Sequence, residues 1–374
     1  MRYLLVIFFA LGLAFASVGF AESEDDLQTL TKTYFGRAPI YYPDALLRGL
    51  YPDQPLAEVK AMLREIYAER PLIFQPHTHD REAPFAGKYV NVSAEGFRKV
   101  KHQRPFPPPA NQKAVFLFGG STQFGYGVRD DQTVSSNLQD LLDRDFPGEF
   151  AVYNFGTGFD YTAQYRIRLE NLLRKNLVPF AAITLHGLNE QGFFCGTGNH
   201  PYAALKPIER SRYLFESNLT VLAKQRRHWD IKGLLGRSDD PLFGVEPFSP
   251  MEPCPISDLM YRAEKIIAAY GKRYGFKTLS VFQPTPVVDT HRRNGDRKKL
   301  EAFLSAFAPY IKASTEQHGI GFLSLLDLEG PREMNYVDQI HYSAPMNQAI
   351  AGAIYERFKQ LAAVSSGHRE EAGQ

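Results

Sequence analysis

Cysteine is scarce in this chain: 374 residues carry only Cys195 and Cys254. Two thiols exclude a disulfide-dense scaffold and, on their own, a structural zinc site. In an oxidising compartment the two could pair, a geometry that sequence leaves open. Charge of one sign is lacking too. Lys and Arg total 43 against 41 Asp and Glu, a formal net charge of +2. That balance leaves no electrostatic footprint for nucleic acid or for an acidic partner. Long apolar runs are missing after residue 21, so nothing later reads as membrane-spanning. The glycine clusters at 119–127 and 194–198 lack both the Lys of a phosphate loop and the Gly-x-Gly-x-x-Gly frame of a dinucleotide site. The short cluster His77-Thr-His79-Asp80 is not read as a metal site. No metal and no organic cofactor is expected.

What is present begins with the N-terminus. Arg2 precedes a nearly continuous apolar stretch, 3–21, with small residues at Ala14-Phe-Ala16 and Gly19-Phe-Ala21 and acidic residues from Glu22. This is the pattern of a secretory signal peptide. The stretch also approaches the roughly 20 residues that span a bilayer, so an uncleaved anchor is the alternative. The expectation is an exported protein, periplasmic or secreted, that touches a membrane only if this segment is retained.

Residues 22–110 read as an N-terminal cap rather than an independent fold. Prolines recur at 39, 43, 52, 55, 71, 76 and 84, with helical stretches near 27–34 and 56–68 and a short strand at 88–93. The Pro-rich stretch Arg104-Pro-Phe-Pro-Pro-Pro109 gives a stiff, extended entry to the first long apolar run. From 111 the pattern changes. Apolar runs at 114–118, 151–155, 181–185, 277–283 and 321–326 alternate with helix-period segments. One helix starts after Asp130 and Asp131, both good N-caps, and carries Val134, Leu138, Leu141, Leu142 and Phe146 on one face. Others centre on Leu259–Tyr270, Ala302–Tyr310 and 345–362. This order predicts an α/β fold with a five-stranded parallel sheet covered by helices on both faces. The chain between the third and fourth strands, about 190–255, reads as an insertion beside the site, and its basic run Lys224-Gln-Arg-Arg-His228 as a solvated helix face. A second basic run, 291–299, reads as a solvated helix start. Residues 363–374 read as a disordered tail.

The chemistry gathers at strand ends. The first run drives into Gly119-Gly-Ser121, which sets a hydroxyl at the carboxyl edge of the sheet. Serine needs a base, a group that orients the base, and donors for an oxyanion. Asp338-Gln-Ile-His341, between the last strand and the last helix, offers an acid three residues before an imidazole. The second strand ends in Asn154-Phe-Gly-Thr-Gly158, where a glycine amide can approach a substrate, and the third in His186-Gly-Leu-Asn189-Glu190, which offers an amide side chain. His186 itself is read as structural.

Taken together and in this order, the four segments resemble the blocks of the SGNH hydrolase superfamily, the GDSL-type esterases and lipases. Phe124-Gly-Tyr-Gly-Val128 and Asp131-Gln-Thr133 resemble the continuation of the first block. Asn91-Val-Ser-Ala-Glu-Gly-Phe-Arg98 resembles a stretch found ahead of the catalytic domain in exported relatives. The resemblance covers roughly 88–362 and implies a three-layer, flavodoxin-like domain over 111–362. It implies Ser121 as nucleophile, His341 as base, Asp338 as the acid that orients it, and an oxyanion hole from the Ser121 and Gly158 amides with the Asn189 side chain. Three departures stand out. The first block reads Gly-Gly-Ser rather than Gly-Asp-Ser. The second is one residue short, which leaves Gly156 as the alternative to Gly158. The third has Glu190 where Asp is frequent, which puts local bracing in doubt. The implied activity is hydrolysis of O-acyl esters, acetyl or short-chain, on a small molecule or an acylated polysaccharide of the envelope or exterior. A polysaccharide O-acetyltransferase would use the same triad, and a non-catalytic glycan-binding protein would keep the scaffold without the chemistry.

Overall fold

The computed structural model describes residues 38–75, 78–190, 256–286, 297–331 and 334–370. The expected signal peptide, the helix at 27–34, both cysteines, the basic run at 224–228, the rest of the insertion after Glu190, and His77 lie outside the described residues.

The N-terminal region begins with α1 (Asp44–Leu50) and α2 (Leu56–Arg64). Val59, Met62 and Leu63 recur at helical spacing on α2 and are buried. One wider turn, Glu65–Glu69, continues α2. An antiparallel hairpin comes next, β1 (Leu72–Gln75) with β2 (His79–Glu82), then a short antiparallel pair, β3 (Phe85–Ala86) with β4 (Asn91–Val92). The strand expected at 88–93 is shorter than that because the amides of Lys88, Tyr89 and Val90 donate to the Glu65 carboxylate instead of to a partner strand. The region packs against the main sheet domain. Leu46, Leu50, Met62 and Ile66 share one apolar cluster with Phe124 and Val337 of the main domain.

The main domain alternates strand and helix: β5 (Lys113–Gly119), the single turn α3 (Ser121–Phe124), α4 (Val134–Asp145), β6 (Phe150–Asn154), α5 (Thr162–Leu173), β7 (Ala181–His186), α6 (Ile256–Tyr274), β8 (Lys277–Phe282), α7 (Arg297–His318), β9 (Phe322–Ser324) and α8 (Ala344–Glu370). The five main strands pair in parallel in the order β6-β5-β7-β8-β9. This is the doubly wound, flavodoxin-like arrangement, and its order reverses between β5 and β7. Period-two alternation divides the core. Val115 and Leu117 face α4 and α8, packing with Leu138, Leu142, Ile350, Ile354 and Phe358. Phe116 and Phe118 face the other layer, with Tyr165, Leu169 and Ile267.

Local differences from expectation have local causes. Thr133, not Asp130 or Asp131, caps α4, its hydroxyl accepting from the Ser136 amide at 3.1 Å. Asp130 is occupied elsewhere, by Arg98 and Asn91. Helix α5 was not foreseen, because its buried face mixes Thr162 and Gln164 with Tyr165, Leu169 and Leu173. Helix α8 runs past Ser365, where a tail was expected, to Glu370.

Candidate active site

Ser121 sits where β5 hands over to α3. Six of the seven β5 residues are buried, and the strand ends at two glycines that close packing requires. A side chain on Gly119 would collide with Gln123, and one on Gly120 with the amide of Asn189. The single turn α3 is closed by Gly125 in the left-handed region (φ 95°), with the Ser121 carbonyl accepting from the amides of Gly125 (2.9 Å) and Tyr126 (3.1 Å). Ser121 is 7% exposed, and its own amide has no acceptor among the described residues.

Two polar side chains hold this turn in place. Asn154 donates to the carbonyls of Gln123 (3.0 Å) and Phe124 (3.3 Å) and accepts from the Gly156 amide (3.0 Å). Gly156 presses so close to the Gln123–Phe124 backbone that no side chain fits there. Arg98 is wholly buried and donates to the carbonyls of Phe124 (3.1 Å), Gly125 (2.7 Å) and Val128 (2.7 Å), with Nε on Asp130 at 2.8 Å. The upstream stretch ending in Arg98 therefore has a physical role: it clamps the carbonyls left over at the end of the serine turn. Burial lowers the Arg98 guanidinium and the Asp130 carboxylate opposes that effect.

Asp338 and His341, the expected acid and base, lie on the turn before α8. Asp338 Oδ1 accepts from the amides of Ile340 (2.9 Å) and His341 (2.8 Å), and Oδ2 lies 2.6 Å from His341 Nδ1. Burial alone would raise the Asp338 carboxyl. The attraction of His341, its ring hydrogen bond and the two amides outweigh burial and hold it below the usual carboxylate range. An ionised carboxylate at that distance fixes the ring hydrogen on Nδ1, which leaves Nε2 as the basic nitrogen. Nε2 is buried and has no hydrogen-bond partner among the described residues.

Three contacts bring this pair to the serine turn. Tyr126, whose amide donates to the Ser121 carbonyl, stacks on the His341 ring at 5.1 Å between centroids and 29°. Gln283, just past β8, places its Oε1 2.7 Å from Thr122 Oγ1 and 3.0 Å from the Tyr342 hydroxyl. Gly127 touches Val337 closely enough to exclude a side chain. No hydrogen bond joins Ser121 Oγ to His341 Nε2 in this structure.

The expected oxyanion donors divide. Asn189 lies against Gly120, one residue before Ser121, and Nδ2 donates one hydrogen to the Asp160 carbonyl at 2.6 Å. Its second amide hydrogen has no acceptor among the described residues. Gly158 is brought to the same edge, but its amide donates to Glu82 Oε1 at 3.1 Å. The hairpin inserts this fully buried carboxylate, paired with Arg70, where the sequence expected an open donor. Glu190, doubted as a brace, braces strongly: it accepts from the Gly187 amide (2.8 Å), the Thr162 amide (2.8 Å) and the Thr162 hydroxyl (2.5 Å).

Sequence reading missed Tyr67, Glu82, Tyr126 and Gln283. Tyr67 donates its hydroxyl to Asp338 Oδ2 at 3.0 Å, although 271 residues separate the two. No pattern links positions so far apart. His186 is structural, as expected, with Nε2 2.6 Å from Ser280 Oγ and 2.9 Å from Glu264. Among the described residues no cluster of His, Cys, Asp and Glu could hold a metal, and no helix is long and apolar enough to cross a membrane.

No family model and no curated protein matches the chain. Solved structures similar to it include TesA, at 15% identity over 67% of this chain and 99% of that one, TM-score 0.40. The acetyl xylan esterase AlAXEase is similar at 14% identity over 65% and 98%, TM-score 0.39. A lipolytic protein of the G-D-S-L family from Veillonella parvula is similar at 12% identity over 66% and 99%, TM-score 0.39.

Proposed function

We propose that this chain is a serine esterase of the SGNH type that hydrolyses short-chain O-acyl esters. The observation that carries the reading is the Asp338–His341 pair, with Nδ1 committed to the carboxylate and Nε2 buried and unpartnered beside the Ser121 turn. Ser121 Oγ attacks the ester carbonyl while His341 Nε2 takes its proton, and Asp338 stabilises the imidazolium that forms. The carbonyl oxygen becomes an oxyanion held by the Ser121 amide and the free hydrogen of Asn189 Nδ2. His341 then returns the proton to the leaving alkoxide, which departs as the alcohol. Water, deprotonated by His341, attacks the acyl-serine, and His341 returns that proton to Ser121 Oγ as the acid leaves.

Export, and acyl groups on polysaccharide as the substrate, belong to the same proposal. They rest on the apolar N-terminal stretch and on the motif resemblance. The test is turnover of a short-chain aryl ester by the wild type and by Ser121→Ala, with and without an acetylated glycan or a glycan acceptor. Loss of turnover in a folded variant supports the reading, and equal turnover overturns it. Transfer to the glycan in place of water would identify an acyltransferase.

A further inference from the structure

We infer that Tyr67, carried by the N-terminal cap, is a positioning residue that tunes the Asp338–His341 pair. The inference rests on the reading of His341 as the base. Tyr67 lies in the turn that continues α2, outside the domain that bears the four motif blocks. Its hydroxyl is 3.0 Å from Asp338 Oδ2 and 3.4 Å from His341 Nδ1. The tyrosine has one hydrogen. Nδ1 already carries a hydrogen directed at Oδ2 and cannot accept a second, so the hydroxyl hydrogen goes to Oδ2. Oδ2 therefore takes two donors, and Oδ1 takes the two amides, which fills the acceptor sites of the carboxylate.

The placement is built rather than incidental. The Tyr67 ring meets Tyr126 edge-on at 5.4 Å and 80°, and His341 at 6.2 Å and 71°, so the Tyr67 and Tyr126 rings flank the imidazole. Three residues on, the Arg70 guanidinium lies 4.3 Å from the Phe124 ring and 4.9 Å from the Tyr126 ring. Two residues before, Glu65 gathers three successive amides. Burial, then the nearby Asp338 charge, push the Tyr67 hydroxyl well above its ordinary range, so it remains a donor across the working pH.

The expected effect has a sign. The Tyr67 hydrogen bond disperses negative charge from Oδ2. Without it, that charge attracts the protonated imidazole more strongly, and deprotonation of His341 requires a higher pH. In Tyr67→Phe, kcat/KM falls about tenfold, as expected for losing one hydrogen bond to a charged group, and its acid limb moves to higher pH. KM and the melting temperature hold. Nitrogen-15 NMR of the imidazole, assigned by its loss in His341→Gln, reads the same upward shift without needing turnover. Tyr67→Met, which fills the space without a hydroxyl, gives the same shift should Phe not be tolerated. An acid limb and a ring titration midpoint that stay at the wild-type pH overturn the inference, even if the variant loses stability. Wild-type protein that hydrolyses no ester but shows the NMR shift would sink the proposed function and leave the role of Tyr67 standing.

Discussion

Thr122 and Tyr342 converge on a single atom, the side-chain oxygen of Gln283, at 2.7 and 3.0 Å. They are the immediate neighbours of Ser121 and His341, which belong to turns more than 200 residues apart in the chain. Gln283 is 3% exposed and follows β8, the strand between β7 and the edge strand β9. A strand end thus ties the Ser121 turn to the His341 turn.

Removing that link displaces one turn against the other. In Gln283→Ala, kcat should fall about 10–100-fold, the cost of misplacing reacting groups by a fraction of an ångström to an ångström. KM should change little, because Gln283 is buried beneath the two turns. Steady-state kinetics on an aryl acetate provide the check, and an unchanged kcat would show that the shared contact is dispensable.

In the proposed mechanism, Asn189→Ala removes a donor that works on the oxyanion and not on the ground-state ester. The expected loss is about 10²–10³ in kcat with KM nearly constant. Gly158 predicts differently. Its amide is held by Glu82, so Gly158→Ala acts by collision with the Tyr126 hydroxyl and should lower the melting temperature as well as the rate.

Asp338 makes stability depend on pH in one direction. Its carboxyl is held below the unfolded value, so it stabilises the fold above that value, and the contribution disappears as pH falls through the folded one. The difference in urea midpoint between the wild type and Asp338→Asn should therefore be largest near neutrality and shrink below about pH 4, near the unfolded carboxylate value. A difference that grows on acidification would contradict the assignment of the charge.

Arg98 is another buried charge of consequence. Replacing it by Met strands the carbonyls of Phe124, Gly125 and Val128 and leaves Asp130 without its guanidinium. Breaking such a buried pair costs about 3–5 kcal/mol. Chemical denaturation should read this loss, and activity should fall with it, since the stranded carbonyls close the serine turn.

Where the residues carried their own period, the fold was legible. The five strands of the main sheet begin and end within about two residues of the apolar runs, because both faces of the central strands are buried. Ser121, Asn189, Asp338 and His341 were legible as candidates because each ends or follows a strand. Helix α5 escaped because its buried face is partly polar. The hairpin escaped because His79 to Glu82 has no apolar member, yet it delivers Glu82 to the Gly158 amide. Tyr67 and Gln283 act across long stretches of chain through single side-chain atoms, and contacts of that kind leave no spacing in a sequence.

The nucleophile is the most direct point of attack. Incubating the protein with a fluorophosphonate that mimics a short acyl ester, followed by peptide mass spectrometry, should give one adduct, on Ser121, formed slowly or not at all in His341→Gln. An adduct on another serine, or none in the active wild type, would contradict the assignment of Ser121.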